Sequence, residues 1–77
     1  MAETLKERAL LALAKSLEDG KVYSFKTIKK LLVSAGPSIP YANRILDELQ
    51  LYGVLERVSR GEYKFHRVRL RRVYGIG

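Results

Sequence analysis

The sequence predicts an α+β domain built from three helices followed by a C-terminal β-hairpin, and three observations support this. Apolar residues recur at helical spacing in three segments before residue 53. Each segment begins after a Ser or Thr and stops at or before a glycine. Beyond the third segment, two β-prone runs flank the turn sequence Ser59-Arg60-Gly61-Glu62, which predicts a hairpin.

Size and composition limit what the chain can be. The 77 residues are 47% hydrophobic, which predicts one domain over residues 1–77, with residues 67–77 as a basic C-terminal strand or tail. The absence of cysteine excludes disulfides, thiolate catalysis and cysteine-based zinc sites. Apolar runs fall well short of the roughly 20 residues of a membrane span, and acids occupy the N-terminus where a signal peptide needs bases. We therefore expect a cytoplasmic protein without membrane contact.

The first helix is predicted to begin at Leu5 and to stop by Gly20. Thr4 and Glu7 have the spacing of a capping box, in which both side chains satisfy backbone N–H groups at a helix start. The inward stripe is expected to contain Leu5, Ala9, Leu10, Ala12, Leu13 and Leu17.

A short extended stretch at residues 21–23 precedes the second helix, which is predicted over residues 25–35 with Ser24 as its N-cap. Lys26, Lys29 and Lys30 fall at i, i+3 and i+4 and share one face. That face is either simply solvated or part of a larger basic surface. The buried side is expected to contain Phe25, Ile28, Leu31, Leu32 and Ala35.

Gly36-Pro37 ends the second helix, and a third must start almost at once. Its N-cap is Ser38, or Ile39 with Pro40 at the first helical position, because a residue before proline avoids the helical region. The helix ends at Gly53, and Tyr52 closes its last turn. We expect Ala42, Ile45, Leu46 and Leu49 to face the core.

The hairpin is predicted from residue 54, with Tyr63 and Phe65 facing inward. Val68 and Leu70 have the opposite parity, so a bulge or break is expected near His66 and Arg67. Beyond that break, Arg alternates with Val and Leu, which is typical of an ordered strand packed on the first helix or on a second subunit. The strand would place Arg67, Arg69 and Arg71 on one face, with Arg72 adjacent.

Positive charge is concentrated in two parts of the chain. The net charge is +7, and residues 21–36 hold four lysines and no acid. Residues 54–77 hold seven bases and two acids. Such segregation indicates a charged face for a polyanion. The scarcity of Asn, Gln and Met beside many charged residues is also typical of thermophilic proteins.

No catalytic arrangement is evident, so we expect neither an enzyme nor a metal, cofactor or small-molecule site. His66 is the one histidine and lacks a partner at metal-ligand spacing. The acid pairs Glu18-Asp19 and Asp47-Glu48 are adjacent in sequence and diverge around a helix.

The second and third helices, joined by a short turn and followed by a hairpin, have the organisation of a helix-turn-helix. Through "LDELQLYGVLERV" and "SRGEY", the sequence resembles the winged helix-turn-helix DNA-binding domains over about residues 5–66. The layout is similar to that of small regulators of archaea and their viruses. The resemblance implies sequence-specific binding of double-stranded DNA by a homodimeric transcriptional regulator. The third helix would enter the major groove, and the hairpin, or wing, would follow the backbone or the minor groove.

The resemblance also implies roles for individual residues. Acids at Asp47 and Glu48 would repel a backbone near the C-terminal half of the third helix, so we expect insertion by its N-terminal end. Arg67, Arg69, Arg71 and Arg72 would contact either DNA or a second subunit. The expected base-reading residues are Asn43, Arg44 and Tyr41. The expected backbone-binding residues are Lys26, Lys29, Lys30, Ser38, Arg57, Arg60 and Lys64.

Two other functions remain compatible with the sequence. Basic winged-helix domains also occur among RNA-binding and ribosomal proteins, and others serve as protein-interaction modules. Competition between duplex DNA and structured RNA separates DNA binding from RNA binding, and a salt titration of duplex binding tests the protein-interaction alternative.

Overall fold

The computed structural model of the protein describes residues 4–76, which form four helices and one three-stranded antiparallel sheet. Residues 1–3 and 77 of the expected domain lie outside the described residues. The α+β class is confirmed, with one helix more than the sequence predicted. The helices are α1 (Leu5–Ser16), α2 (Phe25–Ser34), α3 (Ile39–Leu51) and α4 (Arg67–Tyr74), and the strands are β1 (Val22–Ser24), β2 (Leu55–Ser59) and β3 (Glu62–Phe65). None of the helices within residues 4–76 combines the length and apolarity needed to cross a membrane.

The first three helices start at the hydroxyl caps that the sequence predicted. In each, the cap oxygen accepts a hydrogen bond from the backbone N–H three residues ahead, which stabilises a helix by about 1 kcal/mol. The pairs are Thr4 with Glu7 at 3.1 Å, Ser24 with Thr27 at 3.2 Å and Ser38 with Tyr41 at 3.3 Å. Ser38, rather than Ile39, is therefore the cap of α3, and Pro40 occupies its second helical position.

Strand β3 lies at the centre of the sheet, in the order β1-β3-β2. It pairs antiparallel with β1 through Tyr23 and Tyr63, and with β2 through Leu55 and Phe65. A bulge between Arg57 and Ser59 interrupts the second pairing near the turn. The sheet thus joins a strand from the first third of the chain to the hairpin.

The core lies between α1, α2, α3 and the inner face of the sheet. The predicted inward residues of α3 are all buried, as are Tyr63 and Phe65 of the hairpin. Two residues of the predicted α1 stripe are not buried: Leu5 is exposed and Ala12 is half-buried. The buried cluster contains Ala9, Leu10, Leu13, Ala14, Leu17, Ile28, Leu32, Ala42, Ile45, Leu46, Leu49, Val54, Leu55, Tyr63, Phe65 and Leu70.

The predicted C-terminal strand is wrong, because residues 67–74 form helix α4. The break after Phe65 is where the sequence placed it, but the chain then coils. Leu70 is fully buried and Tyr74 packs on the core one turn later, while Val68, which a strand would place beside Leu70, is 58% exposed. Consequently Arg67, Arg69 and Arg71 do not share a face.

Helix α4 is held in place by its contacts with α1. The Arg67 guanidinium donates hydrogen bonds of 2.7 and 2.8 Å to the carbonyls of Ala14 and Leu17, at the C-terminal end of α1. The backbone N–H of Arg67 donates a hydrogen bond to Asp19 Oδ1 at 2.9 Å. Because an isolated helix of this length is unstable in water, these contacts and the burial of Leu70 account for its formation.

Candidate nucleic-acid interface

Helix α3 presents a polar outer face opposite the residues that it buries. Asn43, Arg44 and Asp47 are exposed there, at i, i+1 and i+4. Within residues 4–76, the side chains of these three make no hydrogen bond or ion pair. They are therefore available to an external partner, and they combine an amide, a guanidinium and a carboxylate on one surface.

The N-terminal turn of α3 offers fewer backbone donors than a typical helix start. Pro40 has no N–H, and the N–H of Tyr41 donates to Ser38 Oγ at 3.3 Å. The N–H of Ile39 is thus the one of the first three helical positions left for a phosphate. The Ser38 hydroxyl, which accepts the bond from Tyr41, retains its own proton for donation.

Tyr41 differs from the other two predicted base-reading residues. Its ring is half-buried and packs against the core cluster, whereas Asn43 and Arg44 are exposed. The structure therefore brings Asn43 and Arg44 together on the outer face and places Tyr41 at its edge.

Glu48, one of the two acids expected to repel DNA, is engaged inside the molecule. Its Oε1 accepts hydrogen bonds from Lys6 Nζ at 2.6 Å and from Tyr74 Oη at 2.8 Å. The bond from Lys6, followed by that from Tyr74, holds the pKa of the Glu48 carboxyl below its ordinary value. The Tyr74 ring also lies 5.3 Å from Lys6 Nζ, so the ammonium is stabilised from two sides. Asp47 is then the one acid on the outer face of α3.

The three lysines of α2 are not equivalent. Lys26 and Lys30 are exposed, on the side of the helix opposite the buried Ile28 and Leu32, whereas Lys29 is half-buried. All three lack a hydrogen bond or ion pair to any residue the structure describes. Lys26 and Lys30 are thus the better placed of the three to bind phosphate.

The hairpin separates its basic residues between two faces of the sheet. Arg57 pairs with Tyr63 across the strands, whereas Lys64 pairs with Glu56, so Arg57 and Lys64 point to opposite faces. Lys64 is half-buried and interacts electrostatically with the Glu56 carboxylate, whose pKa is lowered mainly by its hydrogen bond with His66. Arg57 and Arg60 are exposed and unpaired among the described residues. Arg57 and Lys64 therefore do not share one surface of the hairpin.

Two of the four arginines of α4 are engaged by the backbone. Arg67 binds the last carbonyls of α1, and Arg69 donates to the Gly53 carbonyl at 3.1 Å. Arg71 and Arg72 are exposed, and Arg72 has no partner among the described residues. The arginine-rich segment is therefore in part a structural element.

Within residues 4–76, nearly all acids have a partner in the chain, whereas many bases have no hydrogen bond or ion pair. Every acid except Asp47 accepts a hydrogen bond or forms an ion pair inside the chain. The bases without a hydrogen bond or ion pair are Lys15, Lys26, Lys29, Lys30, Arg44, Arg57, Arg60, Lys64 and Arg72. The excess positive charge is thus left unpaired mainly on α2 and the hairpin, whereas on α3 the unpaired Arg44 lies beside the unpaired Asp47.

Sequence reasoning missed Lys6 and Tyr74, which neutralise and orient Glu48. Lys6 lies 42 residues from Glu48, a separation at which sequence gives no signal, whereas the helical spacing of Leu70 and Tyr74 was a detectable sign of α4. Comparison of the chain with protein families, curated proteins and solved structures found no match.

Proposed function

We propose that the chain is a winged helix-turn-helix protein that binds double-stranded DNA in a sequence-specific manner. The order α1-β1-α2-α3-β2-β3, with β1 paired to the hairpin, supports this architecture. A turn of only four residues, 35–38, separates α2 from α3, and the other residues that the structure describes leave the outer face of α3 uncovered. In this proposal α3 enters the major groove and the β2–β3 hairpin is the wing.

The observation that carries the proposal is the unpaired positive charge on α2, α3 and the hairpin. Within the described part of the chain, six fully or partly exposed bases on these elements form no hydrogen bond or ion pair with an acid. A polyanion supplies that compensation, and the release of its counterions drives association. The six are Lys26, Lys29, Lys30, Arg44, Arg57 and Arg60.

The roles of these residues follow from their chemistry. Lys26 and Lys30 bind phosphates as mobile point charges, and Arg57 and Arg60 bind them from the wing. Arg44 donates a fork of two hydrogen bonds to guanine O6 and N7, and Asn43 pairs with adenine N6 and N7. Phosphate contacts position the domain, and the two α3 side chains specify the site.

A single helix reads few base pairs, so one domain covers only a short stretch of DNA. We therefore expect a homodimer that binds a DNA site with two-fold symmetry. Helix α4 supports this by exposing Val68 and Val73 next to Arg72. Such a protein regulates transcription by occupying its site.

A salt titration with duplex DNA tests the proposal. The logarithm of the binding constant should fall linearly with the logarithm of salt concentration, with a slope of about −0.9 for each phosphate contacted. Lys30→Ala should make the slope shallower by about 0.9, whereas Lys15→Ala, which removes an unpaired lysine from α1, should leave it unchanged. A flat response, or equal effects of the two variants, contradicts the proposal. Stronger competition by structured RNA than by duplex DNA would instead identify an RNA-binding protein.

A further inference from the structure

We propose that Asp47 is a specificity-determining residue that selects cytosine in the DNA major groove. The inference rests on the proposed DNA binding and adds to it a base preference. Asp47 lies on the outer face of α3, beside the two side chains proposed to read bases.

The position of Asp47 on α3 matches that of a base-contacting residue. It follows Arg44 by three residues and Asn43 by four, so the three side chains are neighbours on one helix face. Asp47 is exposed and, unlike Glu48, is not drawn toward α1 or α4. A helix lying in the major groove through Asn43 and Arg44 therefore also brings Asp47 to the base edges.

Asp47 has no structural task among the described residues. It caps no helix, forms no ion pair and accepts no hydrogen bond within residues 4–76, in contrast to the other acids described. Asp is also a poor helix former. Nothing among the described residues therefore accounts for a carboxylate at this position, whereas an external hydrogen-bond donor does.

The chemistry of a carboxylate identifies that donor. An ionised Asp only accepts hydrogen bonds. In the major groove guanine and thymine present acceptors, and adenine places its N6 donor beside the N7 acceptor. Cytosine presents its N4 amino group without an acceptor beside it. Asp47 consequently favours cytosine and repels the other base edges, as it repels phosphate.

The spacing on α3 locates the cytosine in the binding site. Residues three and four apart are separated by about 4.5 to 6 Å along a helix axis. Base pairs are stacked at about 3.4 Å. The cytosine therefore lies within about two base-pair steps of the bases that Arg44 and Asn43 contact.

Selection of bound sequences from a pool of randomised DNA duplexes tests the inference, with four proteins compared. These are the wild type, Asp47→Ala, Asp47→Asn and the matched control Glu18→Gln. Glu18 is an exposed acid whose partner is Lys21, and it lies just beyond the C-terminal end of α1, so its variant removes the same charge outside α3. Thermal unfolding of each protein verifies that it is folded.

The wild type and Glu18→Gln should enrich the same motif, including a cytosine. Asp47→Ala should lose about tenfold discrimination at that one position and bind unrelated duplexes more tightly, because a repulsive charge is gone. Asp47→Asn should replace the cytosine preference with adenine, which Asn pairs in a bidentate manner.

An unchanged motif in both Asp47 variants would overturn the inference while leaving the proposed DNA binding intact. A wild-type protein that binds no duplex at low salt would overturn both. A loss of preference at every position in Asp47→Ala, with the protein folded, would also contradict a role at one base pair.

Discussion

Tyr74 Oη donates a hydrogen bond of 2.8 Å to Glu48 Oε1, the same oxygen that accepts a bond from Lys6 Nζ. One carboxylate oxygen thus joins three helices, α1, α3 and α4, at the C-terminal half of α3. The contact removes one acid from the proposed DNA-facing surface. It also fixes the orientation of α3, the helix that presents this surface.

The first prediction concerns this bond. Tyr74→Phe should lower the free energy of unfolding by about 1 kcal/mol, because the ring is retained and only the hydrogen bond is lost. Tyr52, whose ring meets that of Tyr74 edge-on at 6.3 Å, provides the control. Its hydroxyl makes no hydrogen bond within the described residues, so Tyr52→Phe should change stability by less than about 0.5 kcal/mol. Urea unfolding measures both, and equal losses would contradict the prediction.

The second prediction is the pH dependence of the same contact. The pKa of Glu48 is lowered in the folded protein from its ordinary value of 4.5, first by Lys6 and then by Tyr74. The stabilisation by the Glu48 contact is therefore fully present above pH 4.5, and it is lost as the pH falls through the lowered pKa of the folded protein. The side chain is 33% exposed, so solvent screening keeps the effect near or below about 1 kcal/mol.

Urea unfolding of the wild type and of Glu48→Gln across acidic pH isolates this contribution from those of the other carboxylates. The stability difference between them should be constant at neutral pH and should shrink in acid. A difference that stays constant down to the most acidic measurement would contradict it.

The third prediction concerns Arg67, which binds the carbonyls of Ala14 and Leu17. Arg67→Met keeps much of the aliphatic stem but leaves those carbonyls without their donor, so unfolding free energy should fall by about 2 kcal/mol. Arg72→Met, on the exposed side of the same helix, should cost less than about 0.5 kcal/mol. Circular dichroism during urea unfolding measures both variants, and a stable Arg67→Met protein would show that α4 does not depend on this contact.

The fourth prediction concerns the turn between α2 and α3. Gly36 has a φ of +128°, and a Cβ there would lie 2.8 Å from Leu5 Cδ1. The exposed Leu5 side chain can move aside, so the cost of Gly36→Ala comes mainly from a φ that lies outside the left-handed region open to other residues, and the change should destabilise by about 2 kcal/mol. Gly20 also has a positive φ, +79°, but a Cβ there would meet nothing within 4 Å, so Gly20→Ala should cost about 1 kcal/mol. Thermal unfolding ranks the two, and the reverse order would refute the argument from backbone strain.

The fifth prediction separates base contacts from phosphate contacts. Arg44→Ala should relax the preference for one base pair, at a cost of about 1 to 3 kcal/mol for the preferred sequence, because the guanine contact is lost. Lys30→Ala should weaken preferred and unrelated duplexes alike. Competition binding with preferred and scrambled duplexes measures both ratios, and an exchange of these two patterns would reverse the assigned roles.

The sequence predicted the parts of the fold that local chemistry decides. Thr4, Ser24 and Ser38 cap their helices as expected, since a hydroxyl needs only a neighbouring backbone N–H. Alternation also identified Tyr63 and Phe65 as the inward residues of β3. These features depend on residues within a few positions of one another.

Helix α4 was harder to predict, because its local sign was the helical spacing of Leu70 and Tyr74 alone. The Arg-Val-Arg-Leu-Arg pattern has the period of a strand, and the contacts that favour the helix are made by Ala14 and Leu17, about 50 residues away. The candidate site shows the same division. Asp47 and Glu48 are adjacent acids of one helix in sequence, and only the distant Lys6 and Tyr74 distinguish them.

The central position of β3 has a consequence for how the protein is made. Strand β1 pairs only with β3 among the described strands, and the backbone of Phe65 exchanges hydrogen bonds with Gly20 and Lys21. During synthesis, strand β1 therefore cannot pair with β3 until some 40 further residues have been made. Closing that long loop is a slow step of folding, so the sheet should assemble only once residue 65 has left the ribosome.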